Sequence, residues 1–123
     1  MSQKMKVLVV DDEPLNVDYL EQRLEDLDYQ IITAADGQDA LNKIKNEHPD
    51  LVLLDLMMPI LDGFAVLSEV KADPGLRDIP VIIISADHDS KSIVRGIKQG
   101  ADDYLTKPVN HELLVKKVKE FLG

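Results

Sequence analysis

Cysteine is absent from this 123-residue chain. That excludes disulfide frameworks, thiolate zinc sites and cysteine nucleophiles, while leaving the redox compartment open. Long apolar runs are missing too. The first, Val7 to Val10, is too short for a signal-peptide core or a membrane span, and no later run approaches the roughly twenty residues a span needs. With no targeting signal at the N-terminus, the expectation is a soluble, cytoplasmic protein with no membrane partner. No low-complexity linker or long internal repeat divides the sequence, so residues 1–123 read as a single domain. Basic charge is in short supply: 14 Lys and Arg stand against 23 Asp and Glu, a formal net charge of -9. Phosphate contacts drive nucleic-acid binding, so direct contact with nucleic acid is not expected.

What is present suits one hydrophobic core. The chain is 45% apolar and 30% charged, ordinary for a globular protein and too apolar for a disordered one. Charge is unevenly spread, because Lys91, Arg95, Lys98, Lys107, Lys116, Lys117 and Lys119 outnumber Asp102, Asp103, Glu112 and Glu120 in the C-terminal stretch. Solvated helix faces are the ordinary explanation of such a bias. A basic docking face is the sharper one.

Short apolar runs alternate with amphipathic segments. Lys6 to Val10, Gln30 to Ala34, Leu51 to Leu54, Val81 to Ile84 and Asp103 to Leu105 have the near-continuous hydrophobicity of strands buried on both faces. Between them, helical spacing links Leu20, Leu24 and Leu27, then Leu41 and Ile44, then Phe64, Leu67 and Val70. It recurs in Ile93, Val94 and Ile97 and in Leu114, Val118 and Leu122, which predicts five helices with one apolar stripe each. Pro14 suits a first helical turn, Asn110 can cap the last helix, Gly100 ends the fourth, and Asp36-Gly37 and Asp62-Gly63 punctuate loops. Strict strand-helix alternation implies right-handed crossovers and a parallel sheet covered on both sides, a doubly wound α/β fold.

Ligands in such sheets bind beyond the carboxyl ends of the strands. There the first run leads into Asp11-Asp12-Glu13, the third into Asp55, the fourth into Ser85 and the fifth into Thr106-Lys107. Clustered carboxylates repel and must protonate or bind a cation, and an all-oxygen set suits hard Mg2+ better than zinc. Asp12 or Glu13 could instead cap the helix that Pro14 begins. Asp55 has no such alternative, since it lies between Leu51-Val52-Leu53-Leu54 and Leu56-Met57-Met58-Pro59 with no helix start behind it. A carboxylate beside Mg2+, with a lysine point charge and a serine hydroxyl, has the parts to accept a phosphoryl group as a labile acyl phosphate.

Across essentially its whole length, the chain resembles the receiver domains of two-component response regulators. The matching residues are Val7-Leu8-Val9-Val10-Asp11-Asp12-Glu13, Asp55-Leu56-Met57-Met58-Pro59 with Asp62-Gly63, Ile84-Ser85-Ala86, and Gly100-Ala101-Asp102-Asp103-Tyr104-Leu105-Thr106-Lys107-Pro108. The resemblance implies a flavodoxin-like strand order 2-1-3-4-5, which makes strands 1 and 3 neighbours and brings Asp11, Asp12 and Asp55 together. It implies that Asp55 is phosphorylated by a sensor histidine kinase or a histidine phosphotransfer protein. Asp11, Asp12, Asp55 and the main-chain carbonyl of Met57 would hold Mg2+, with Mn2+ as an alternative, and Ser85 and Lys107 would contact the phosphoryl oxygens. A cis Lys107-Pro108 bond is implied as well. Ser85 and Tyr104 match the family's switch pair: an inward-drawn serine leaves space for the aromatic ring and alters the face made by the fourth helix, fifth strand and fifth helix. Taken alone, Tyr104 would read as an ordinary core aromatic. The result is a signalling domain rather than an enzyme, one that assists its own phosphotransfer and autodephosphorylation while controlling a partner or output domain.

Met57 departs from expectation as a long apolar side chain at the rim, where it would restrict the water that hydrolyses the phosphoryl group. His48, His88 and His111 read as solvated histidines without a catalytic role. Other functions lack their signatures. No Gly-x-x-x-x-Gly-Lys-Ser/Thr loop is present for a nucleotidase. A haloacid-dehalogenase-type phosphatase would place a second acid where Met57 stands, and acid at residues 11–13 would repel a flavin phosphate. A phosphorylation-independent interaction module is disfavoured by the intact acidic pair, Asp55, Ser85 and Lys107. The sequence stops at Phe121-Leu122-Gly123, directly after the last expected helix, and fits either a stand-alone regulator or the N-terminal part of a longer protein. A homodimer is a further expectation, with Asp102 and Asp103 answering Arg95 or Lys98 of a second copy.

Overall fold

The computed structural model describes residues 4–58, 60–87 and 89–123, so Pro59 and His88 lie outside the described residues. Five strands alternate with five helices: β1 (Lys6–Val10), α1 (Pro14–Glu25), β2 (Gln30–Ala34), α2 (Gly37–Glu47), β3 (Leu51–Leu54), α3 (Gly63–Ala72), β4 (Val81–Ser85), α4 (Ser90–Lys98), β5 (Asp103–Thr106) and α5 (His111–Leu122). The strands form one parallel sheet in the order β2-β1-β3-β4-β5, as the resemblance implied.

Alternation along the strands divides the interior into two apolar layers. Leu8, Val10, Val52, Leu54 and Ile83 join Leu41, Ile44, Val66 and Leu67 on the α2–α3 side. Val7, Val9, Leu53, Ile82 and Ile84 join Leu20, Leu24, Leu114 and Val118 on the α1–α5 side. Each fully buried Leu, Ile or Val of these layers contributes roughly 1.5–3 kcal/mol relative to exposure. Two stripes differ from the sequence pattern. Helix α1 ends at Glu25, so Leu27 packs on the core from the turn beyond it. In α4 the only buried residue is Gly96, while Val94 and Ile97 are nearly half exposed. Helical periodicity fixes which residues share a face, and it is silent on whether sheet or solvent lies opposite.

Helix boundaries follow local chemistry. Pro14 opens α1, and the Asp36, Asp62 and Asn110 side chains accept the N–H groups of Asp39, Ala65 and Leu113 at 2.8, 2.9 and 3.0 Å. The two aspartates read as loop punctuation are thus helix caps, each worth about 1 kcal/mol. Gly100, at φ +110°, follows α4 and donates its N–H to the Ile97 carbonyl at 3.1 Å. Among the described residues, no helix is long and apolar enough to cross a membrane.

Candidate functional site

Strand register sets the site. Val10 pairs with Leu54, so the residues that follow them, Asp11 and Asp55, leave neighbouring strands at one level. The Asp55 N–H donates to the Val10 carbonyl at 3.0 Å, continuing the ladder one step beyond the strands. On the other flank Ser85 pairs with Thr106, and the Lys107 N–H donates to the Ser85 carbonyl at 2.8 Å. The Lys107-Pro108 peptide is cis.

The side chains of Asp11, Asp12 and Asp55 converge: one carboxylate oxygen from each lies within 4.8 Å of the others. Asp11 and Asp55 are buried, at 3% and 4% exposure, and Asp12 is exposed. The Lys107 ammonium spans the buried pair, donating to Asp11 Oδ2 at 2.8 Å and to Asp55 Oδ2 at 3.3 Å. The remaining carboxylate oxygens shape the loops, since Asp11 Oδ1 accepts the Glu13 N–H at 2.9 Å and Asp55 Oδ1 accepts the Met57 N–H at 3.2 Å. Glu13 occupies the cap position of α1 without a side-chain capping bond.

Burial raises the Asp55 carboxyl above its usual 3.8, and the like charge of Asp11 adds to that. The Met57 N–H and the Lys107 charge oppose it without cancelling it. Burial acts to lower the Lys107 ammonium as well, but its hydrogen bond to Asp11 and the charges of both aspartates outweigh that, leaving it above 10.5. The Lys107 ammonium therefore pairs with two of the three converging carboxylates, Asp11 and Asp55. An all-oxygen set with residual negative charge fits a hard divalent cation such as Mg2+ and suits zinc poorly.

The expected switch pair is connected through a residue the sequence reading passed over. Ser85 is fully buried, and its hydroxyl accepts the N–H of Asp87 at 3.2 Å. The Tyr104 hydroxyl donates to the main-chain carbonyl of the same Asp87 at 2.8 Å. Burial raises the Tyr104 phenol above 10.0; the Ser85 hydroxyl opposes this and the charges of Asp87 and Asp55 add to it. An Asp two positions beyond a strand end was the only available signal for Asp87, and its partners lie too far along the chain for local pattern to reveal.

Other expected residues stand apart. The Met57 side chain is 67% exposed at the rim. His48 ends α2 in a left-handed conformation, and His111 begins α5. His88 lies outside the described residues. Asp102 and Asp103, expected to answer a second copy, are engaged within the chain. Asp102 accepts the Val81 N–H at 2.8 Å and pairs with Lys71 at 3.6 Å, and Asp103 pairs with Lys117 at 2.9 Å.

A family model described as "Response regulator receiver domain" matches residues 7–119. The chain is 43% identical over 120 residues to "Probable transcriptional regulator ycf27" of Porphyridium aerugineum, covering 98% of this chain and 49% of that protein. It is 42% identical over 114 residues to "Response regulator PleD" of Caulobacter vibrioides, covering 93% of this chain and 25% of that protein. The chain thus spans half or less of the length of these curated relatives. Among solved structures, the receiver domain of the Francisella response regulator 1452 superposes with a TM-score of 0.89 at 34% identity, covering 96% of both chains.

Proposed function

Because the chain belongs to the response regulator receiver domain family, we propose that it is a phosphorylation-dependent switch whose acceptor is Asp55. The single observation that carries this reading is the Lys107 ammonium held 2.8 and 3.3 Å from the Asp11 and Asp55 carboxylates at one rim of a parallel sheet. Residues 1–123 act as one receiver unit. The donor is a phosphohistidine on a sensor histidine kinase or a histidine phosphotransfer protein. An oxygen of Asp55 attacks phosphorus, an O–P bond forms as the N–P bond breaks, and the departing imidazole takes up a proton from water.

Within this scheme, Lys107 remains beside the acceptor as a point charge that neutralises phosphoryl oxygen, and Ser85 turns its hydroxyl to donate to another. Asp11, Asp12, Asp55 and the Met57 carbonyl are the residues to hold Mg2+, with Mn2+ as the alternative. A bound divalent cation supplies neutralisation of the charge shared by phosphate and carboxylates. The acyl phosphate hydrolyses in time, so the chain assists both its own loading and its own reset while acting as a signalling domain.

The receiving side is an output domain or a separate downstream protein that reads the face of α4, β5 and α5, in a cytoplasmic setting. A homodimer through the basic C-terminal region would have to draw Asp102 from Lys71 and Asp103 from Lys117. Sedimentation with and without a phosphoryl analogue, repeated at high salt, tests it, and an unchanged mass throughout removes it.

Phosphoryl uptake tests the central claim. Protein incubated with acetyl phosphate or a phosphorylated kinase plus Mg2+ is weighed intact, as wild type and as Asp55→Asn. Only the wild type gains a phosphoryl group. Equal gain by the variant, or none by either, refutes the assignment.

A further inference from the structure

The connection from β3 to α3 carries Met57 and is closed by the Gly63 N–H, which donates to the Leu56 carbonyl at 3.1 Å. Leu61, near its far end, packs against the α2–α3 apolar layer. The first residue of α2 lies directly on it. A Cβ at the buried Gly37 would sit 2.1 Å from the Leu61 carbonyl oxygen, 2.7 Å from Leu61 Cβ and 2.8 Å from the Leu61 carbonyl carbon. Helix and loop therefore meet backbone to backbone, at a distance that no side chain at residue 37 permits.

The same loop holds Ile60 at φ +71°, a conformation in which a β-branched side chain crowds its own backbone. With 82% of Ile60 exposed, burial does not compensate, so the strain persists because neighbouring residues are held in place. The start of α2 is well placed to hold them. Asp36 caps it by accepting the Asp39 N–H at 2.8 Å, and the Lys43 ammonium joins the Thr33 carbonyl of β2 to the Asp39 carboxylate. The end of β2 is fixed in turn, since the Ala34 carbonyl accepts the Asp11 N–H at 3.1 Å.

We propose that Gly37 is a positioning residue for the divalent cation: it lets the start of α2 bear on the Leu61 backbone, and that contact keeps the strained loop in the form that sets the Met57 main chain beside Asp55. The inference rests on the reading of Asp11, Asp12, Asp55 and the Met57 carbonyl as the residues that hold the cation. A side chain at residue 37 drives Leu61 outward, and relief of the strain at Ile60 favours the displaced form. Met57 moves with the loop, loosening the 3.2 Å bond from its N–H to Asp55 Oδ1. Asp11, Asp12 and Asp55 stay at the ends of β1 and β3, so the loss falls on the main-chain ligand.

Calorimetric titration of the unphosphorylated chain with Mg2+ tests this in wild type, Gly37→Ala, Asp36→Ala and Val118→Ala. Alanine is the better helix former, so weaker binding by Gly37→Ala cannot come from lost helix propensity. Gly37→Ala should bind roughly tenfold more weakly, the scale of losing a group that supports a metal ligand. Asp36→Ala leaves Gly37 intact but uncaps α2, and should bind roughly threefold more weakly. Val118→Ala opens a cavity in the α1–α5 layer, far from this contact, and should bind as wild type does despite a lower melting temperature. Wild-type affinity in folded Gly37→Ala overturns the proposal, as does equal weakening in Val118→Ala; should Gly37→Ala not fold, wild-type affinity in Asp36→Ala overturns it. Amide exchange in EDTA judges the contact with no cation present. The Met57 and Gly63 N–H groups should exchange roughly tenfold faster in Gly37→Ala than in wild type, and unchanged rates overturn the proposal. Absence of Mg2+ binding by wild type defeats the cation reading itself, while the exchange comparison still judges the seam between α2 and the loop.

Discussion

Met57 presents an exposed thioether at the rim while its N–H is tied to Asp55 Oδ1. The backbone role survives any side chain, so substitution there isolates the effect of the apolar screen. Met57→Asn replaces it with a group that can hold water, and the phosphoryl group should then be lost severalfold faster; an unchanged lifetime by intact mass after removal of donor refutes the screening role. Tyr104 permits a second measurement. Its phenol ionises above 10.0, so Tyr104 contributes a stability cost that grows as pH rises from 10.0 through the folded-state value, and none below that window. The difference between the ultraviolet titrations of wild type and Tyr104→Phe should have its midpoint above 10.0, and a midpoint at or below that value contradicts the burial argument. Asp11, Asp12, Asp55, Ser85 and Lys107 were legible in the sequence as candidates because each lies within two residues of the end of an apolar run, and strand ends are where open sheets gather their chemistry. Asp87 was not, since no periodicity encodes the bonds that tie it to Ser85 and Tyr104.

The loop after β3 and the start of α3 meet with no room between them. A Cβ at Gly63 would lie 2.4 Å from the Asp55 carbonyl oxygen and 2.7 Å from Leu56 Cα, and both are backbone atoms. Gly63→Ala must therefore push α3 away from the peptide that carries Asp55. It should lower stability by about 1–3 kcal/mol in urea denaturation and slow phosphoryl uptake as well. Wild-type values for both would show that the close approach is dispensable. The strands were readable to within one residue, because buried parallel strands are short β-branched or leucine-rich runs that few other elements imitate. Helix α4 was readable as a helix but not in its setting. Its apolar residues repeat at 3.6-residue spacing just as those of α5 do, yet it meets the sheet through a glycine, and a missing side chain leaves no hydrophobic signal.

At the scale of the whole molecule, a divalent cation held by the acidic rim would make stability depend on that cation. A ligand that binds only the folded chain at about a hundred times its dissociation constant stabilises it by about 2.7 kcal/mol. Thermal melting in Mg2+ should therefore exceed that in EDTA, and Asp12→Ala, altering an exposed carboxylate outside the core, should remove most of the difference. Superimposed wild-type curves in the two buffers would contradict a cation site. The doubly wound arrangement followed from the alternation of runs, whereas the order β2-β1-β3-β4-β5 came from family resemblance, since alternation alone does not say which strands are neighbours. Odd and even positions of a strand look to opposite flanks, so Val7 and Val9 belong to one packing layer and Leu8 and Val10 to the other. Descendants of such a chain can thus re-clothe one flank by substitutions that leave packing on the far flank undisturbed. The two flanks can drift apart in surface chemistry over generations, with the shared wall of strands keeping the carboxylates at its rim in register.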